Sequence, residues 1–189
     1  LIFAKWLAYR ENVIKHLQQP PRAWIVGVTG LFGYHFFYFM ALRHAPPVNA
    51  GLIAYMWPLL IVLFSTLLPG EKLRWFHLVG TIFGLAGAAI LITGGVELQG
   101  FQTEFMFGYF MAVCCALTWS IYSVANRRFG KVPTASVGGF CAATAILSAL
   151  CHLGFETTIW PVGTRQWLAV FGLGLFPVGM AFFTWDYGN

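Results

Sequence analysis

Leu59-Leu60-Ile61-Val62-Leu63-Phe64 is apolar at every position and lies inside a run, 47–68, that contains no Asp, Glu, Lys or Arg. A lipid-facing β-strand would alternate apolar and polar positions with a period of two, so this run reads as helix. About 20 residues rising 1.5 Å each cover the roughly 30 Å of hydrocarbon in a bilayer. A continuous helix also satisfies its own backbone N–H and C=O groups, which lipid demands. Outward from this stretch, the same length and the same lack of charge recur at 23–42, 75–94, 106–125, 135–155 and 167–185. Residues 1–9 form an apolar stub around Lys5, read as the tail of a further crossing. The fold class that follows is all-α, a polytopic transmembrane helix bundle.

Composition supports the same reading. Of 189 residues, 59% are hydrophobic, 18% aromatic and only 9% charged, whereas a soluble domain carries about 25% charged residues. A soluble enzyme, a nucleic-acid-binding module and a disordered chain are thereby set aside, and no nucleic-acid partner is expected. The expected partners are the lipid bilayer and a small-molecule solute, with a monomer as the expected unit. The formal charge of +5 is carried mainly in loops. Assigning sides alternately puts Lys5, Arg10, Lys15, Arg22, Lys72, Arg74, Arg127, Arg128 and Lys131 on one face and only Arg43 and Arg165 on the other. Because Lys and Arg are retained in the cytoplasm, loops 10–22, 69–74 and 126–134 are expected there, and Glu97, Glu104 and Glu156 outside. Cys114, Cys115, Cys141 and Cys151 all lie in apolar segments without metal-ligand spacing, and read as small core hydrophobes. No metal and no cofactor is expected. The chain opens without Met and stops after an apolar run, so the natural protein is expected to be longer.

An internal echo bears on topology. Arg22-Ala23-Trp24 resembles Arg165-Gln166-Trp167, and Gly30-Leu31-Phe32 resembles Gly174-Leu175-Phe176. Five crossings separate the two copies on this topology, an odd number, so they enter from opposite sides. Inverted repeats are the architecture with which carriers present equivalent inward and outward states.

Several residues inside the spans could serve a solute. Tyr55, Trp57 and Pro58 sit together in mid-span. Proline has no N–H for the carbonyl four residues back, so a kink is expected at Pro58. Tyr34 and Tyr38 share a helix face with Gly27, and Trp119 and Tyr122 share one with Cys115 and Asn126. Tyr and Trp prefer the membrane interface, and a phenol in mid-span needs a polar partner or water. A wet cavity lined by Tyr34, Tyr38, Tyr55, Trp57, Trp119 and Tyr122 is one reading; rings that simply pack are the other. His35 is the titratable group deepest in a complete span, and such groups are functional candidates by default. A neutral His bonded to a neighbouring helix remains the alternative. Gly80, Gly84, Gly87 and Ala88 form a ladder of small residues and are expected to let two helices approach closely. The spans contain no carboxylate, no GxSxG and no HExxH, so no enzyme is expected.

The stretches Gly30-Leu31-Phe32-Gly33-Tyr34-His35-Phe36-Phe37-Tyr38-Phe39 and Leu52-Ile53-Ala54-Tyr55-Met56-Trp57-Pro58-Leu59-Leu60 carry a family resemblance. With Pro69-Gly70-Glu71-Lys72-Leu73, Ala116-Leu117-Thr118-Trp119-Ser120-Ile121-Tyr122-Ser123 and Trp185-Asp186-Tyr187-Gly188, they resemble the drug/metabolite transporter superfamily. Within it, the likeness is to EamA-type, YddG-like aromatic amino-acid exporters. The resemblance implies a bacterial inner-membrane carrier of ten helices in two inverted five-helix halves. This chain would then run from about helix two to helix eight, with 1–105 the remainder of the first half and 106–189 part of the second. It implies alternating access with Tyr34, His35, Tyr38, Tyr55, Trp57 and Trp119 around the cavity. The cargo implied is aromatic and other neutral amino acids and related metabolites, with nucleosides, drugs or other metabolites as the alternative. A non-transporting receptor or assembly subunit is the alternative of another class.

Overall fold

A computed structural model describes residues 17–71, 74–93, 102–129 and 132–188, with side chains at all of these except 88, 91–93, 128, 129, 134, 178, 183 and 186–188. Eight α-helices are described: α1 Pro21–His44, α2 Pro47–Ala54, α3 Trp57–Ser65, α4 Trp75–Thr93, α5 Met106–Phe129, α6 Val137–Phe155, α7 Thr164–Leu175 and α8 Ala181–Gly188. No strand occurs among the described residues. Pro21 and Pro47 open α1 and α2 in the first turn, where a missing N–H costs nothing. Arg43 and His44 close α1, placing positive charge at the negative end of the helix dipole. Gly70, at φ 88°, makes the turn after the α3 segment.

Pro21–His44, Pro47–Ser65, Thr103–Arg127 and Val137–Phe155 are each long and apolar enough to cross a bilayer. α4 adds a shorter apolar stretch, Trp75–Gly87. The polytopic helix bundle read from the sequence is therefore the observed architecture. Residues 1–16, including Lys5, Arg10 and Lys15, lie outside the described residues, as do Lys72, Gly94, Glu97 and Lys131.

Two runs expected to be single helices are interrupted. Run 47–68 divides at Tyr55-Met56, just ahead of Pro58. The Tyr55 N–H donates to Gly51 O at 2.8 Å, the Met56 N–H tightens onto Ile53 O at 3.1 Å, and Leu60 N–H resumes the ladder on Met56 O. Pro58 has no N–H for the Ala54 carbonyl and its ring crowds that carbonyl, so the chain relaxes there. Run 167–185 is likewise not one continuous α-helix, contrary to expectation. A π-helical turn, Phe176–Met180, separates α7 from α8. Pro177 lies in that turn, and the widened turn accommodates a ring that a regular α-turn would drive into the carbonyl of Leu173.

The chain divides into two compact units, Thr29–Arg128 and the segments Leu1–Val28 with Phe129–Asn189. Within the first, the core is built of small residues: Ala41, Ala45, Ala50 and Ala112 pack with Tyr109 and Met111. Lipid offers no hydrophobic drive for helices to associate, so close packing of small side chains supplies it. Gly108 shows how close: a Cβ there would lie 2.6 Å from the His44 backbone and the Ala45 side chain. One buried polar pair crosses this core, Asn49 Nδ2 donating to Tyr109 Oη at 3.1 Å. At one end of the unit Arg127 reaches Glu71 at 3.4 Å. In the other unit, Trp24 meets Phe140 edge to face at 5.1 Å and donates its Nε1–H to Leu17 O. At the end of α6 the unit carries a surface chain in which His152 contacts Glu156 at 2.7 Å and Thr158 at 2.9 Å.

Candidate functional site

The candidate site lies within the unit Thr29–Arg128, where α1, the break between α2 and α3, and α5 supply the aromatic residues. Tyr34 is its hub. Its ring stacks on that of Tyr38, one turn along α1, with centroids 6.1 Å apart and planes 5° from parallel. It also meets Trp119 of α5 at 5.0 Å, and Trp119 meets Tyr122 at 5.4 Å. Tyr34 and Tyr38 both lie within electrostatic range of Tyr55 and Cys115. Rings from two long helices and the break are thus gathered in one place.

The members of this group differ in access. Trp119 and Tyr122 are 6% and 4% exposed, whereas Tyr55 is 45% exposed. Tyr34, His35, Tyr38 and Trp57 are half-buried. Trp119 and Tyr122 are therefore the buried members of the group and Tyr55 its most exposed one. Tyr122 supports Trp119 from behind, because its ring lies directly over Gly30, where a Cβ would collide with it. His35 commits its Nδ1–H to the Leu31 carbonyl of its own helix at 2.8 Å. Its ring stands edge-on to Tyr34 at 5.2 Å. A carbonyl can only accept, so that bond assigns the proton to Nδ1.

Next to the break, Tyr55, Pro58 and Val62 face His77, Gly80 and Gly84 of α4 across an open, mainly apolar groove of about 610 Å³. The glycine ladder was expected to pack against a second helix. Among the described residues a Cβ built at Gly80, Gly84 or Gly87 meets nothing within 4 Å, and Gly80 and Gly84 line the groove. The side chain of Ala88 lies outside the described residues. Close approach is made by Gly30 and by Gly108, the latter heading a buried ladder of small residues, Gly108, Ala112, Ala116 and Ser120, on α5.

Sequence reasoning also passed over Ser120. It is fully buried beside Trp119, and its hydroxyl reaches the Trp57 carbonyl at 3.0 Å and the Ala116 carbonyl at 2.7 Å. Its signal was its place between Trp119 and Tyr122 in an otherwise apolar span. The Asn49–Tyr109 pair was missed as well, since 60 residues separate its partners. Among the described residues no group of His, Cys, Asp and Glu is arranged to hold a metal. Such an arrangement offers ring faces, phenol hydroxyls and carbonyls at a helix break, and so suits non-covalent recognition.

Comparison with known proteins bears on this geometry. Residues 1–93 match the model of the EamA-like transporter family. Over 172 residues the chain is 59% identical to the aromatic amino acid exporter YddG of Ancylobacter novellus, covering 91% of this chain and 60% of that protein. It is 27% identical to the pseudopaline exporter CntI of Pseudomonas aeruginosa, covering 94% of this chain and 61% of that one. A solved crystal structure superposes with a TM-score of 0.90 at 56% identity, over 99% of this chain and 64% of the other. The chain thus spans about 60% of the length of these relatives. The apolar spans, the broken helix beside the aromatic cluster and the match over 1–93 converge: this multi-pass membrane chain carries an EamA-like transporter family domain over 1–93 and is similar to exporters along most of its length.

Proposed function

We propose that this chain forms most of the solute pathway of an inner-membrane carrier that exports aromatic and other neutral amino acids and related metabolites by alternating access. The observation that carries the proposal is the Tyr34 hub, which meets Tyr38 and Trp119 within about 6 Å beside a helix broken at Tyr55-Met56. Ring faces bind an aromatic side chain by offset stacking and an ammonium by cation–π attraction. Carbonyls at an interrupted helix are the groups carriers use for cationic partners, and Pro58 cannot supply an N–H to that of Ala54. Tyr34, Tyr38, Tyr55 and Trp57 contact the solute, Trp119 and Tyr122 back them, and His35 offers a polar contact. The 59% identity to an aromatic amino acid exporter points to the same cargo.

In this reading 1–105 belong to the first inverted half and 106–189 to the second, and the two halves rock about the site. Loops 10–22, 69–74 and 126–134 face the cytoplasm, as their Lys and Arg content favours. The test is counterflow into proteoliposomes with labelled phenylalanine, threonine and a purine nucleoside offered separately. Saturable phenylalanine uptake above that of the nucleoside supports the proposal. Nucleoside uptake exceeding both amino acids replaces the cargo, and uptake of none of them refutes the carrier reading.

A further inference from the structure

Ser120 carries one hydroxyl hydrogen and faces two acceptors. One is the Ala116 carbonyl, a turn back on α5 at 2.7 Å, and the other is the Trp57 carbonyl at 3.0 Å. Trp57 is the first residue of α3 and directly precedes Pro58. The serine is 0% exposed, so water does not compete for its hydrogen. We propose that Ser120 is a positioning residue, a releasable tether that holds the broken helix against α5 at the level of the aromatic cluster; this rests on the carrier reading above.

One donor is thus shared between two acceptors. A buried hydroxyl deprived of its sole acceptor is strongly penalised, which would make such a tether too stiff for a moving part. Ser120 escapes the penalty, because its hydrogen turns to Ala116 whenever Trp57 withdraws. Rotation of a side-chain hydroxyl takes picoseconds to nanoseconds, far faster than helix rearrangement in microseconds to milliseconds. The segment it holds is the soft part of the α2–α3 crossing, since Pro58 removes one rung of the helix ladder. Ser120 holds the break through the Trp57 carbonyl and is itself fully buried, so its loss changes how readily the break rearranges and not what the rings offer a solute.

The experiment is hydrogen–deuterium exchange of the chain in lipid nanodiscs, read at 55–61, with counterflow kinetics beside it. Ser120→Ala is expected to raise exchange at 55–61 about fivefold, the ratio corresponding to one ordinary net hydrogen bond, with 142–150 of α6 unchanged. Maximal counterflow rate is expected to shift at least about threefold with KM within about twofold, the split of a group that acts on rearrangement. Ser120→Thr, which keeps the hydroxyl, is expected to match the parent chain in both readouts. Exchange at 55–61 that is the same in Ser120→Ala and the parent overturns the tether. So does an equal rise at 142–150, which reveals general loosening. A parent chain that moves no labelled solute refutes the carrier reading alone, because the exchange comparison still decides the tether.

Discussion

Gly30→Ala adds a single methyl group and tests the packing that places Trp119. The new Cβ would lie 2.5 Å from Tyr122 Cγ and 2.8 Å from its Cβ, against about 3.5–4.0 Å for carbon atoms in contact. Tyr122 must therefore retreat by roughly 1 Å, and overpacking on this scale costs about 1–3 kcal/mol. Replacing glycine in a helix has an opposite effect of about 0.8–1.0 kcal/mol. Gly87→Ala isolates that gain, because a Cβ at Gly87 meets nothing within 4 Å. In SDS titrations the expected order is Gly87→Ala equal to or above the parent, and Gly30→Ala below Gly87→Ala by about 1–3 kcal/mol. Tyr122 contacts Trp119 at 5.4 Å, and Trp119 contacts Tyr34 at 5.0 Å, so the displacement passes to the hub. Phenylalanine affinity is then expected to fall in Gly30→Ala although residue 30 touches no solute. The Gly30→Ala/Tyr122→Ala pair should couple strongly, since removing the ring removes the clash. Equal stability of Gly30→Ala and Gly87→Ala, or strict additivity of that pair, refutes the reasoning.

Three further outcomes follow from the same geometry. Pro58→Ala restores an N–H for the Ala54 carbonyl and should knit Pro47–Ser65 into one helix, leaving stability intact or higher while counterflow drops at least about tenfold; unchanged counterflow removes the break from the mechanism. Tyr34→Ala should weaken phenylalanine about 2- to 12-fold, the equivalent of one aromatic pair at about 0.5–1.5 kcal/mol, and threonine much less; equal losses for both solutes argue against stacking. A double-mutant cycle on Asn49→Ala and Tyr109→Phe should give a coupling of about 0.6 kcal/mol, the average for hydrogen bonds between membrane helices; zero coupling dismisses that bond as a stabilising contact.

The spans were legible because apolar runs of about 20 residues admit few other structures in lipid. The break at Tyr55-Met56 was legible at Pro58 through covalent chemistry alone. Pro177 removes an N–H in the same way, but a missing N–H alone does not say whether the chain kinks or widens into the π-turn Phe176–Met180. Glycine spacing reports which small residues share a face, not whether another helix lies against it. Gly80 and Gly84 share a face that floors a groove, while Gly108, at the head of the buried series Ala112, Ala116 and Ser120, meets close neighbours. That Tyr34, Tyr38, Trp119 and Tyr122 meet agrees with their placement in mid-span, away from the interface that Tyr and Trp prefer. The division of the group into buried members, Trp119 and Tyr122, and the more exposed Tyr55 was not readable. It depends on which residues of α1 lie opposite α5. Ser120 and the Asn49–Tyr109 pair escaped because their partners are 60 or more residues away.

The central claim is that the aromatic group is open to water and receives a solute. Tyr55, the most exposed ring of the group, is the place to probe it. Tyr55→Cys, in a chain whose Cys114, Cys115, Cys141 and Cys151 are replaced by Ala, is treated with a charged, membrane-impermeant thiol reagent with and without phenylalanine. The account predicts modification that saturating phenylalanine slows at least about fivefold, on the order of the shielding one stacked ring provides. No modification, or the same rate with and without phenylalanine, contradicts it.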